Sequence, residues 1–159
     1  MYMHLSGMSQ SSIPELPCMC GSFRRTARAL TQMYEEALRP LGLRATQLTI
    51  LQALSLVGEV SQGRLGEMLA MDSTSLTRTL AIMRRAGWIA EHPGADLRER
   101  RLKLSGAGER KLGGALTAWE GVQSRLRRRL GEKSWKSLLQ LTHHVTDLVR
   151  RKETRYEQL

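Results

Sequence analysis

The sequence predicts one mostly α-helical domain that carries a small β-hairpin. Its 159 residues lie in the size range of a single domain, and a hydrophobic content of 41% is enough to form a core. Aromatic residues make up only 4% of the chain, so the core must consist of Leu, Ala, Met and Val, which suits packed helices. Apolar residues recur at three- and four-residue steps along most of the chain, and this period changes to alternation only after Gly87.

The first elements predicted are an N-terminal arm and two helices. Residues 1–17 are predicted to form a flexible or loosely docked arm, because residues 6–17 are polar and hold two of the four prolines. A first amphipathic helix starts at Cys18 and ends at Pro40 and Gly42. A second helix follows and ends near Gly58. Their apolar positions are Phe23, Ala27, Leu30, Tyr34 and Leu38, then Leu48, Leu51 and Leu54.

The next two helices are short and have the spacing of a helix-turn-helix. They are predicted over 62–70 and 73–86, and only the few residues around Met71 join them. Asp72 or Ser73 can cap the second helix by accepting a backbone N–H, and Ser73 is the favoured cap.

After Gly87 the pattern predicts a projecting wing and then two long helices. Residues 88–91 and 101–104 alternate, and the charged loop between them is too long for a tight hairpin. Ser105 is predicted to cap a long helix that ends at Gly131, and a last helix follows. Their apolar stripes are Leu112, Leu116, Trp119, Val122, Leu126 and Leu130, then Trp135, Leu138, Leu141, Val145, Leu148 and Val149.

The long apolar stripes lie at both ends of the chain and predict a dimer. A core of this size cannot bury them all, so we expect residues 18–40 and 105–159 to form a homodimer interface, with residues 45–104 as a winged helix-turn-helix reader. The whole of 18–159 then forms one domain. An intramolecular helix bundle is the alternative.

Charge indicates a polyanionic partner. The formal net charge is +10 and the sequence pI is about 10.6, so nucleic acid is the first candidate and an anionic membrane surface the second. No signal peptide or membrane-spanning segment is found, so a cytoplasmic protein without membrane attachment is expected. Cys18 and Cys20 are too close to form a disulfide framework. Neither they with His4, nor His143 and His144, have the spacing of a zinc site, and no metal or cofactor is expected.

The order of these motifs resembles the MarR family of bacterial regulators from Cys18 onward. Each motif alone is degenerate, but their order and spacing are specific. The resemblance implies a sequence-specific transcriptional regulator, a repressor in the favoured interpretation, that binds a pseudo-palindromic operator in double-stranded DNA. The motifs are 62–69 (QGRLGEML), 72–80 (DSTSLTRTL), 84–89 (RRAGWI), 96–101 (DLRERR) and 104–108 (LSGAG).

The predicted DNA contacts lie on the second helix of the helix-turn-helix and on the wing. The helix offers hydroxyls and one arginine to the major groove, although the hydroxyls could serve only as caps. In the family, the wing pair that matches Asp96 and Arg98 aims an arginine into the minor groove; a solvated charge cluster is the alternative. The predicted contact residues are Ser73, Thr74, Ser75, Thr77, Arg78, Asp96, Arg98 and Arg100.

The regulatory signal has two candidate sources in the sequence. MarR-like dimers respond either to a small anionic or phenolic ligand or to cysteine oxidation. Cys20 matches the reactive cysteine of the organic hydroperoxide resistance branch, with Arg28, Thr31 and Tyr34 at matching offsets. However, Arg24 replaces a tyrosine of that branch. Cys20 in the first turn of a helix, near Arg24 or Arg25, favours the thiolate, whereas a buried Cys20 would act as a small hydrophobe.

Two other function classes remain open at this stage. An architectural protein that binds DNA without sequence preference would also use the positive charge. A thiol peroxidase would have to use Cys18 or Cys20, and no neighbouring base supports it, so we do not expect an enzyme.

Overall fold

The computed structural model describes residues 13–94 and 99–156, with side chains as far as residue 150. It contains six α-helices, one short 3₁₀-helix and three strands within these residues. In chain order they are α1 (Met19–Leu38), the 3₁₀-helix (Arg39–Leu41), α2 (Ala45–Val57), β1 (Val60–Ser61), α3 (Gln62–Leu69), α4 (Ser73–Arg85), β2 (Ile89–Pro93), β3 (Arg100–Leu104), α5 (Gly106–Leu130) and α6 (Glu132–Tyr156). The predicted mostly α-helical class with a β-wing is confirmed.

The sheet has one more strand than the sequence predicts. Its order is β1-β3-β2 with both pairs antiparallel, and Val60 lies opposite Leu102 while Ile89 lies opposite Leu104. β1 was missed because two residues are too few to reveal an alternating pattern. Strand β1 thus connects the residues before α3 to the wing through its pairing with β3.

The hydrophobic core lies between α2, the helix-turn-helix and the sheet. Leu51 on α2, Leu65 on α3, Leu80 on α4 and Leu102 on β3 are all fully buried. These positions follow the helical and alternating periods of the sequence. The aliphatic core expected from the low aromatic content is therefore present, and it fixes α4 against the rest of the module.

Two helix ends follow local chemistry that the sequence predicts. Gly42 adopts a left-handed φ of 60° after Pro40, which ends the α1 region as expected. Ser105 caps α5, since its side chain accepts the N–H of Gly108.

The prediction that Ser73 caps α4 is wrong. The side chain of Asp72, not Ser73, accepts the N–H of Ser75 at 2.8 Å, because Asp72 has the extended backbone (φ −66°, ψ 151°) of the residue before the helix. Ser73 is the first helical residue, and its hydroxyl is not needed for capping.

Helices α1, α5 and α6 leave many large apolar side chains exposed in the single chain. Leu38, Ala115, Val122 and Trp135 are buried, but other large side chains on these helices stay exposed. These exposed side chains are Met19, Phe23, Leu116, Leu130, Leu138, Leu139, Leu141, Leu148 and Val149.

The residues that precede α1 contact its first turns. Arg25 donates to the carbonyl of Pro14 at 2.7 Å, and the Ser22 hydroxyl donates to the carbonyl of Leu16 at 3.1 Å. Residues 1–12 of the predicted arm lie outside the described residues. Among the described helices, none is both long and apolar enough to cross a membrane.

Candidate DNA-binding interface

The helix-turn-helix is held by a close approach of α3 and α4. A Cβ built on the buried Gly66 would lie 3.3 Å from Leu76 Cδ2 and 3.4 Å from the Met71 carbonyl oxygen, so a larger residue does not fit without movement. Ala70 turns the chain with a left-handed φ of 50°, and Met71 N–H donates to the Gly66 carbonyl at 3.0 Å. The turn therefore sets the angle at which α4 leaves the module.

The outer face of α4 carries all five residues that the sequence assigned to the major groove. Leu76, Leu80 and Met83 face the core, whereas the outer positions are exposed. The positive end of the α4 helix dipole also lies at the start of this face. The exposed residues of this face are Ser73, Thr74, Ser75, Thr77 and Arg78.

Asp72 stabilises the start of this face as an anion. The pKa of Asp72 lies below its ordinary value, chiefly because the backbone N–H of Ser75 donates to the carboxylate, with a smaller effect from the Ser75 side chain. An ionised cap also interacts favourably with the positive end of the helix dipole. The cap thus keeps the first turn of α4 ordered near neutral pH.

A polar network that the sequence did not reveal links α4 to the wing. Gln62 at the start of α3 donates to Thr77 Oγ1 at 2.9 Å and accepts from Arg84 at 3.2 Å. Arg84 forms an ion pair with Glu91 on β2, and Glu91 Oε1 lies 3.5 Å from Arg100 Nε on β3. Gln62 and Arg84 are 22 positions apart in the sequence, so no local pattern identifies the network.

A second cluster holds the base of the wing against the end of α2. Glu59 Oε1 is 2.8 Å from Arg101 Nε, and Glu59 Oε2 is 3.0 Å from His92 Nε2. Desolvation raises the pKa of Glu59, but the Arg101 hydrogen bond and the His92 charge outweigh it and leave that pKa below its ordinary value. Gly94 N–H donates to the Glu99 carbonyl at 2.8 Å and closes the hairpin.

The wing tip itself is only partly described. Arg100 is exposed and pairs with Glu91, next to the α4 network. Asp96 and Arg98, the predicted minor-groove pair, lie outside the described residues.

The two cysteines lie at the start of α1 and are exposed free thiols. Cys18 is the residue before the helix and Cys20 is in its first turn, as the sequence predicts. Exposure excludes the alternative in which Cys20 acts as a small buried hydrophobe in the single chain. Tyr34 lies 14 residues further along the same helix, about 21 Å at a rise of 1.5 Å per residue, so it does not contact Cys20 in one subunit.

Tyr34 lines a groove of about 370 Å³ between α1, α2 and α5. Burial raises the pKa of the Tyr34 hydroxyl above its ordinary value, so the group is neutral at physiological pH. The groove walls mix apolar with polar side chains, including Leu30, Leu48, Trp119 and Gln123.

A larger cleft of about 1080 Å³ lies between the helix-turn-helix and the end of α6. Val149 and Arg150 form its far wall, and Arg150 donates to the Glu67 carbonyl at the end of α3. Within the described residues, no group of three or more His, Cys, Asp or Glu side chains could hold a metal ion.

Comparison with known proteins identifies the family. The model of the MarR family matches residues 41–99. The chain is 34% identical to the M. tuberculosis transcriptional regulator MosR, which was crystallised in complex with DNA. The TM-score of that pair is 0.76, and the alignment covers 84% of this chain and 97% of MosR.

Two further relatives agree with this result. An uncharacterized HTH-type transcriptional regulator of Bacillus subtilis, YwoH, is 29% identical over 87 residues, which cover 55% of this chain and 64% of YwoH. The chain thus spans less than two thirds of that curated relative. A mutant form of MarR from E. coli, complexed with operator DNA, has a TM-score of 0.72 at 21% identity over 80% of this chain and 92% of its own, which shows the shared fold. The chain belongs to the MarR family of transcriptional regulators.

Proposed function

We propose that the chain is a sequence-specific DNA-binding regulator that acts as a homodimer and represses the promoters it binds. The observation that carries the proposal is the outer face of α4, where hydroxyls and Arg78 are exposed while the opposite face is buried. Hydroxyl and guanidinium groups are suited to base edges in the major groove. The DNA complex of the 34% identical MosR supports the same function.

Selection of binding sites from random duplex DNA tests this proposal. We expect a pseudo-palindromic motif with half-sites about 10 base pairs apart. The preference over random duplex should be about a thousandfold or more. An architectural protein, which the charge of +10 would also suit, should enrich no motif.

Arg78 is the proposed base-reading arginine. Arg78→Ala should lose about 1–3 kcal/mol of operator binding and relax the preference at one position of each half-site. Arg39→Ala is the matched control, because Arg39 is also exposed but lies in the 3₁₀-helix that follows α1. Equal losses of operator affinity in the two variants would contradict the placement of α4 in the DNA interface.

The proposed homodimer uses the exposed apolar faces of α1, α5 and α6. Leu141 on α6 is 59% exposed in the single chain, and a charge in its place would oppose burial in an interface. Leu141→Glu should shift the protein toward monomer in sedimentation and abolish the two-fold footprint. Leu56→Glu is the control, since Leu56 is 87% exposed on α2, outside these helices. A wild type that sediments as a monomer at micromolar concentration would contradict the proposal.

The DNA affinity is proposed to respond to oxidation of Cys20. The thiolate sulfur attacks the terminal oxygen of an organic hydroperoxide, the O–O bond breaks, and a sulfenic acid and the alcohol form once the leaving alkoxide takes a proton. In the dimer, the Tyr34 hydroxyl of the second subunit is proposed to approach Cys20 across the seam. Exposure of both thiols supports access by the peroxide.

The test compares operator binding before and after stoichiometric organic hydroperoxide. Wild type and Cys18→Ser should lose DNA binding and regain it with thiol reductant, whereas Cys20→Ser should keep it. Unchanged binding by oxidised wild type with confirmed thiol modification would contradict redox control.

A small anionic or phenolic effector is the second candidate signal. The groove beside Tyr34 supports it, because it lies between the reader and the proposed dimer helices. Aromatic acids that release DNA from wild type should act more weakly on Gln52→Leu, which changes the groove wall. Gln32→Leu, on the exposed side of α1, should respond as wild type does.

A further inference from the structure

The side-chain amide of Gln62 has a fixed orientation between Thr77 and Arg84. An amide has one end that donates and one that accepts, while a guanidinium only donates. Arg84 lies 3.2 Å from the Gln62 oxygen, so the accepting end of the amide must face Arg84. The donating Nε2 end then faces Thr77 Oγ1, at 2.9 Å.

Arg84 is itself held in place, so the amide cannot easily turn over. Its guanidinium forms an ion pair with Glu91, and the two side chains are only 29% and 20% exposed. Glu91 also pairs with Arg100 on β3. A reversed amide would set N–H groups of Gln62 against N–H groups of Arg84, which leaves both without an acceptor.

This orientation determines what the Thr77 hydroxyl can do. A threonine in a helix can donate to the carbonyl four residues earlier. Thr77 instead accepts from Gln62, and within the described residues its hydroxyl donates to no acceptor, although it lies on the exposed face of α4. The threonines that donate to the carbonyl four residues earlier are Thr49, Thr79, Thr142 and Thr146.

We propose that Gln62 is a positioning residue that presets Thr77 as a hydrogen-bond donor toward DNA and thereby determines base preference at one position of each half-site. In the major groove, guanine, adenine and thymine each present an acceptor, whereas cytosine presents only its amino donor. Thr77 also keeps one lone pair, since a hydroxyl has two and Gln62 uses only one. Only a base with an acceptor uses the free O–H, so Thr77 should favour guanine, adenine or thymine over cytosine at the base it contacts. The inference rests on the proposed function, since it needs α4 in the major groove.

Gln62→Glu tests the proposal because it should reverse the base preference at the position that Thr77 contacts. A carboxylate only accepts, so it still pairs with Arg84 but requires Thr77 to donate to it. Thr77 then offers only a lone pair to the base, so the amino groups of cytosine and adenine become its preferred partners. Gln62→Met removes both hydrogen bonds at similar volume, so the preference should flatten without reversing.

The experiment is binding-site selection with wild type, these two variants, Thr77→Val and the control Thr79→Val. Thr79→Val should match wild type, because the Thr79 hydroxyl already donates to the Ser75 carbonyl at 2.9 Å. Thr77→Val should lose discrimination against cytosine at one position, by about three- to tenfold, the effect of one hydrogen bond. Gln62→Glu should raise the cytosine share at that same position by a similar factor.

Several outcomes would overturn the inference. One is a Thr77→Val motif identical to that of wild type. Another is a Gln62→Glu motif unchanged at the position that Thr77→Val affects. A third is a Gln62→Glu shift that persists in the Thr77→Val background, since the effect must pass through Thr77. Thermal melting and affinity for random duplex identify variants that have merely lost their fold. A wild type that enriches no motif would instead refute the proposed function.

Discussion

Gly108, in the first turn of α5, should tolerate no side chain. A Cβ built on it would lie 2.1 Å from the Trp88 carbonyl oxygen and 3.3 Å from Leu104 Cδ2. Contacts below 3.0 Å essentially never occur for real Cβ atoms, so Gly108→Ala must separate α5 from the start of the wing. The substitution tests whether these two elements pack as closely as the structure has them.

The size of the effect follows from the hydrogen bonds at this junction. The Trp88 carbonyl accepts from Ser105 N–H at 3.0 Å, and the Ser105 side chain accepts from Gly108 N–H at 3.0 Å. Loss of both costs about 2 kcal/mol, and displacement of packed groups costs about 1–3 kcal/mol. Better helix propensity of alanine returns about 1 kcal/mol. The free energy of unfolding should therefore fall by about 2–4 kcal/mol, and Tm by about 5–15 °C.

Chemical and thermal unfolding followed by circular dichroism provides the measurement. Gly113→Ala is the matched control in the same helix, where a Cβ meets nothing within 4 Å. It should leave stability unchanged or raise it by up to about 1 kcal/mol. If Gly108→Ala unfolds at or above the wild-type midpoint, the close packing of α5 on Trp88 is wrong.

Three further predictions concern the turn, the cap and the wing. Ala70→Gly should raise the free energy of unfolding by about 0.5–1 kcal/mol in urea titration, because alanine is strained at a φ of 50°; a lower midpoint would contradict this. Asp72→Ala should lower Tm at pH 7. The folded pKa of Asp72 is depressed, so its contribution is present above its ordinary pKa of 3.8 and disappears as the pH falls through the folded value; a Tm difference that stays constant down to pH 2 would refute it. Arg98→Ala should weaken operator binding and reduce the log–log salt slope by about 1, and an unchanged slope would leave Arg98 outside the interface.

The helices and the wing could be predicted because each has a repeated local pattern. The apolar period located all six helices, and hydroxyl capping correctly gave Ser105 at the start of α5. Capping chemistry alone could not separate Asp72 from Ser73, since both side chains can accept a backbone N–H. Asp72 is the cap because its backbone angles are extended, and the turn at Ala70 sets those angles.

The polar connections of the site could not be predicted. Gln62 and Arg84 pair across 22 positions, and Glu59 and Arg101 across 42. Nothing in their local sequence distinguishes these side chains from solvated charges. The same holds for Gly108, whose motif was noted but whose contact with Trp88 depends on how α5 meets the wing.

These connections make one continuous path from α4, the proposed base-reading helix, to α5. At one end, Gln62 and Arg84 tie α4 to Glu91 on β2. At the other, Trp88 at the start of that hairpin packs on Gly108 and binds Ser105. In the proposed dimer, a displacement of α5 should therefore move α4 and the wing together, because bending the path costs hydrogen bonds at both ends. Regulation on this basis would change the distance between two readers rather than the shape of either. The Gln62 and Gly108 variants test the two ends of this path, since the first should change base preference and the second should loosen the contact between the whole reader and α5.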